Sequence, residues 1–195
     1  MRLACAAVAL VVSMTGNDIE RALAMARGRE AERQQFHSRY LFNLTDPTVT
    51  QIEVITEFRR LVLIAEDHVL HGDFMFTRGV RAGEQALAPT RGMLTLRAQI
   101  RFSPLNTFVV LPDYGLSVSG PSGALIPVDT HSTPQYSNPF KNRQGKTVTS
   151  LMGATIESDV PSADIGQTER AVAVTLDDKE IARIGVDFRR LDSGP

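Results

Sequence analysis

One cysteine, Cys5, is all that the 195 residues contain. A chain processed behind it would have none. That excludes thiol catalysis and cysteine-ligated zinc from the mature protein and suits an oxidising compartment without disulfides. Excess charge of one sign is missing too, since the formal net charge is −1. Nucleic-acid binding is thereby disfavoured, because there is no global basic field to hold phosphate backbones. Neither Gly-x-Ser-x-Gly, Gly-x-x-x-x-Gly-Lys nor Gly-x-Gly-x-x-Gly occurs, and Ser119-Gly-Pro-Ser-Gly123 reads as a turn. No repeat with a period of roughly 20–50 residues marks a solenoid. These absences lean against an enzyme and call for no cofactor.

Long apolar runs are scarce as well. Leu3–Met14 is uncharged over about 12 residues, short of the roughly 20 that a membrane span requires. Behind Arg2 it has the layout of a secretory apolar core. Residues 1–24 are therefore expected to be a signal peptide ending at the small-x-small site Ala22-Leu23-Ala24, or else an N-terminal helix packed on the domain. The first option exports the protein to the periplasm or the exterior.

What is present suits a globular chain: 43% of residues are hydrophobic and 22% charged. Residues 25–92 read as a helical region with one short strand. Residues 18–35 are rich in helix formers, and Phe36, Tyr40, Phe42 and Leu44 fall on one side of a strand over 36–44. Asp46 before Pro47 has the form of a helix N-cap. Val54, Phe58, Leu61, Val62, Ala65 and Val69 follow at helical spacing, and Gly72 suits a left-handed C-terminal cap. The pattern predicts a long buried helix over 47–71. A shorter helical piece follows within 75–88.

After Gly92 the period changes to two. Leu94, Leu96, Ala98, Ile100 and Phe102 alternate with polar residues. Further strands are expected at Phe108–Leu111, Tyr114–Val118, Ala124–Val128 and Val148–Ile156, then a hairpin turning at Asp177–Glu180. Residues 93–195 thus read as an antiparallel region of about six to eight strands over 93–191, packed with the preceding helix as one domain. The expected class is α+β, with a β-sandwich-like or curved sheet.

Chemistry has few anchors. His68 and His71 lie three apart near Asp73, a donor set suited to a divalent metal. The plainer role is helix-end capping, since histidines there bond free carbonyls. Glu57, Arg59 and Arg60 suggest ion pairs, and Arg97, Arg101, Arg183 and Arg189 would form a basic face if their strands were neighbours. The connection 129–146 is the candidate contact surface. It has no periodicity and exceeds the roughly 12–15 residues usual for unstructured connections. His131, Tyr136 and Phe140 supply rings, and Lys141, Arg143 and Lys146 supply positive charge, for a protein or other anionic partner. The composite expectation is an exported, non-catalytic binding or envelope-associated module. The alternatives are an exported metal-dependent hydrolase using His68 and His71, or a periplasmic carrier of a small apolar ligand.

Overall fold

Thr15 starts the first helix, α1 (Gly16–Ala26), with a reciprocal cap. Its Oγ1 accepts from the Asp18 N–H at 3.2 Å, and Asp18 Oδ2 accepts from the Thr15 N–H at 3.0 Å. Ile19, Ala22, Leu23 and Ala26 form its buried stripe. The helical region expected over 18–35 is divided at Gly28. Helix α2 (Glu30–Ser38) follows, and Phe36, expected in a strand, belongs to it. The strand expected over 36–44 shrinks to β1 (Leu41–Asn43). Phe36 and Tyr40 are four residues apart and meet ring to ring at 5.0 Å, a spacing that serves a helical turn as well as a strand.

The helix expected over 47–71 is corrected to a strand followed by a helix. Asp46 caps no helix. Its Oδ1 accepts from the N–H groups of Thr48 and Val49, both at 2.7 Å, and turns the chain into β2 (Val49–Ile55). Thr56 then caps α3 (Glu57–Leu70), its Oγ1 accepting from the Arg59 N–H at 3.2 Å. Gly72, at φ 81°, follows the helix end in the left-handed region. Phe58, Leu61, Val62 and Ala65 are buried, whereas Leu70 is 82% exposed. The shorter helical piece is α4 (Val80–Leu87).

In this computed structural model residues 14–103, 106, 108–120, 123–125, 127–165 and 168–192 are described. The apolar run Leu3–Met14 therefore lies outside them apart from Met14. The remaining elements are β3 (Met93–Arg101), β4 (Tyr114–Gly120), β5 (Gly123–Leu125), β6 (Asp129–Tyr136), β7 (Phe140–Lys141), β8 (Thr147–Val148), β9 (Leu151–Pro161), α5 (Ser162–Ile165), β10 (Glu169–Leu176), β11 (Lys179–Asp187) and α6 (Phe188–Leu191). The class is α+β with antiparallel sheets. One sheet runs β1-β2-β3-β9-β6, a second runs β11-β10-β4-β5, and β7 pairs with β8. No strand forms at Phe108–Leu111, where Val109 is 91% and Val110 78% exposed. Apolar residues without alternation need not be strand.

The period-two pattern of β3 is realised in full. Leu94, Leu96, Ala98 and Ile100 are buried, and the residues between them are not. They join Ala154, Ile156 and Val160 of β9, Leu116 and Val118 of β4, and Val172 and Val174 of β10 in one hydrophobic cluster that includes the helical residues. Gly153 permits close approach of β9 to β3, since a Cβ there would meet the Ile100 carbonyl.

Candidate functional site

The connection expected to be irregular over 129–146 is paired β-structure. β6 runs antiparallel to β9 from Asp129 opposite Asp159 to Gln135 opposite Gly153, and a bulge then sets Tyr136 opposite Leu151. Pairing continues outward. The Ser137 N–H donates to the Ser150 carbonyl at 2.8 Å, Phe140 faces Val148, and Lys141 faces Thr147. The tip closes with the Asn142 N–H donating to the Lys146 carbonyl at 2.9 Å. Asn142 Oδ1 also accepts from the Gln144 and Lys146 N–H groups at 3.0 Å each, and Gly145 takes φ 75°. Residues 129–161 thus form one long hairpin, an arm whose outer strand is the edge of the five-stranded sheet. Every residue of β6 is exposed. Pro134 is tolerated on this edge, where a missing N–H can face outward without breaking the ladder.

The arm places Phe140, Lys141 and Arg143 together at its tip beside Lys146, all exposed. Tyr136, 59% exposed, stands just below them. His131 does not join this group. It lies near the far end of β6 and pairs with Asp129 at 2.8 Å. No Asp or Glu occurs between Asp129 and Glu157, so the outer arm is positive in a chain of net charge −1. Other members of the same region were not singled out from sequence. Phe108, Val109, Val110 and Met152 are exposed beside the arm's base, where Asn106 Nδ2 donates to the Leu151 carbonyl at 2.9 Å and the Phe102 N–H to the Met152 carbonyl at 2.9 Å. Phe108 packs on Phe102 at 5.1 Å between ring centroids. The signal for Phe108, Val109 and Val110 in the sequence is an apolar stretch that lacks any period.

The arginines expected on one basic face are separated. Arg97 and Arg101 lie on β3, whereas Arg183 lies on β11 and Arg189 on α6. Arg97 belongs instead to a cross-strand row of Glu53, Arg97, Glu157 and His131. Its Nη1 donates to Glu53 at 3.0 Å and its Nε to Glu157 at 2.6 Å. From α3, the buried Arg59 donates to the other Glu53 oxygen and, at 2.7 Å, to the Val54 carbonyl. Its guanidinium sits 4.9 Å from the Tyr40 ring centroid. This arrangement fixes α3 on the sheet and buries the Arg59 guanidinium.

The alternative metal donors do not converge. His68 Nδ1 lies 2.9 Å from Asp73 Oδ2, and its ring stacks on Phe76 at 3.9 Å. The His68 hydrogen bond lowers the Asp73 carboxyl below its usual range. His71 Nδ1 lies 2.8 Å from the Asp67 carbonyl, the helix-end role. Among the described residues no group of three or more His, Cys, Asp or Glu is placed to hold a metal ion.

A pocket of about 500 Å³ opens between the helices. Phe36, Phe58, Met25 and Leu191 give it apolar walls, and Arg21, Arg39 and Asp192 give it polar ones. Asp192 is an exposed residue whose carboxylate turns inward, Oδ1 accepting from Thr56 at 2.7 Å and Tyr40 at 2.9 Å. Loss of hydration raises its pKa. Among the described residues no helix is long and apolar enough to cross a membrane. Comparison of the chain with protein-family models and with curated proteins finds no match.

Proposed function

We propose that the chain is an exported, non-catalytic binding module of the cell envelope, periplasmic or extracellular, whose contact surface is the arm 129–161. One observation carries the reading: an exposed hairpin that holds Lys141, Arg143 and Lys146 and no carboxylate between Asp129 and Glu157. Such a surface suits an anionic partner. The leader-like run Leu3–Met14 supports export. Ala22 and Leu23 are buried on α1, so cleavage after Ala24 would take an apolar stripe from the core. The shared core of the two large sheets supports a sandwich-like arrangement.

The test is to join Ser137 to Ser150 through Asn-Gly, a two-residue hairpin turn. The shortened protein is expected to keep its unfolding midpoint and to lose co-sedimentation with an envelope fraction. Undiminished co-sedimentation would refute the assignment.

The helical pocket supports a second reading, a carrier of a small apolar ligand, since its size and walls suit such a guest. Ala24 lines it and is exposed. A fluorescent fatty acid is expected to bind at one equivalent and to be displaced in Ala24→Phe, with the fold retained. Absence of saturable binding to the unaltered protein would remove this reading.

A further inference from the structure

We infer that the partner of the arm is the anionic surface of a lipid bilayer, an inference that rests on the arm being the contact surface. Ten large apolar side chains are markedly exposed among the described residues, and six of them gather at one end: Phe108, Val109, Val110, Tyr136, Phe140 and Met152. Asn106 bonds Leu151 and accepts from the Phe108 N–H, and Phe102 bonds Met152 and packs on Phe108, so the start of the 108–110 segment is tied to β9. The cations are at the same end, with Lys141, Arg143 and Lys146 on the tip and exposed Arg101 opposite Gly153.

Apolar and basic side chains presented together fit an interface in which rings and branched chains enter the headgroup boundary while cations meet lipid phosphates. A folded acidic protein would satisfy the cations but would leave Val109 and Val110 to find a matching apolar hollow. Of the other four, Val128 stands alone before β6, and the remaining three make the contrast. Leu70, Phe74 and Met75 are flanked by Asp67 and Asp73, which an anionic surface would repel. Asp113, Asp177 and Asp178 also stand toward the arm's end of the molecule, on the four-stranded sheet and its hairpin turn. Contact is therefore made by the arm and the 108–110 segment rather than by the whole end.

The experiment is sedimentation of the full chain with vesicles of phosphatidylcholine alone or with about one third phosphatidylglycerol. Binding is expected only to the anionic vesicles at low salt. The variant K141Q/R143Q/K146Q should lose about 100-fold in partitioning, at roughly a factor of five per cation removed. V109S/V110S/F140S should also weaken binding, and F74S/M75S should leave it unchanged. K141R/K146R, which keeps the charge, should bind as the parent does, and each variant's unfolding midpoint confirms that it is folded. Equal binding to neutral and anionic vesicles would overturn the inference, as would full binding by the triple glutamine variant. If the parent protein pellets with no vesicle yet keeps arm-dependent capture on a lipid-extracted envelope fraction, the lipid inference fails and the arm reading stands. If the shortened protein pellets with anionic vesicles as well as the parent does, both fail.

Discussion

Glu53→Ala is expected to lower stability by roughly 3–5 kcal/mol, the cost of leaving a buried charge without its partner. The Arg59 side chain is only 3% exposed and the Glu53 side chain 11%. Without the carboxylate, Arg59 keeps the Val54 carbonyl and the Tyr40 ring, and its Nε already has no hydrogen-bond partner. Arg97 loses a contact at the same time. Denaturant unfolding with an unchanged slope measures the loss. Glu157→Ala is the internal comparison. Its pair with Arg97 is about one-third exposed on both sides, so the cost there is within about 1 kcal/mol. Equal losses at the two positions would show that Arg59 is hydrated in solution.

Leu61→Ala is expected to cost roughly 2–5 kcal/mol. Leu61 has no exposed surface and lies where three helices meet. A Cβ at Gly83 of α4 would come within 3.3 Å of Leu61 Cδ2 and 2.8 Å of Ile19 Cγ2. The helices therefore approach too closely to collapse further and fill the cavity that alanine leaves. Val62→Ala removes less volume and should cost less. A Leu61→Ala protein that unfolds at the parent midpoint would contradict the packing of α3 against α1 and α4.

These two sites also show what could be read from the chain. The apolar face of α3 was legible because Phe58, Leu61, Val62 and Ala65 keep helical spacing. Its start was not, because Asp46-Pro47 imitates a helix cap, and Val54 continues the pattern while lying in a strand. The β-branched residues Val49, Thr50, Ile52, Val54 and Ile55 were the available signal for β2. Strand β3 is legible because one face is buried and the other is not. Strand β9 is legible in the same way from Ala154 and Ile156, whereas its partner β6 is not, for the opposite reason. With every residue of β6 exposed, nothing imposes alternation, so its pairing left no trace beyond the turn residues Asn142 and Gly145. Phe140, Lys141 and Arg143 stand out in the sequence by ring and charge alone. Their grouping with Val109, Val110 and Met152 depends on tertiary pairing that no local pattern encodes.

The position of β9 has a consequence for how the chain is made. It lies between β3 and β6, so β3 meets its second neighbour only after the chain has passed from Arg101 to Leu151 and beyond. Until then Leu96, Ala98 and Ile100 belong to an unfinished sheet with an open edge. Pairings so distant along the chain form late and slowly, because loop closure must precede the contacts that reward it. A polypeptide emerging N-terminus first would therefore stay pliable until β9 is free, a delay that leaves apolar strands open to aggregation if release stalls.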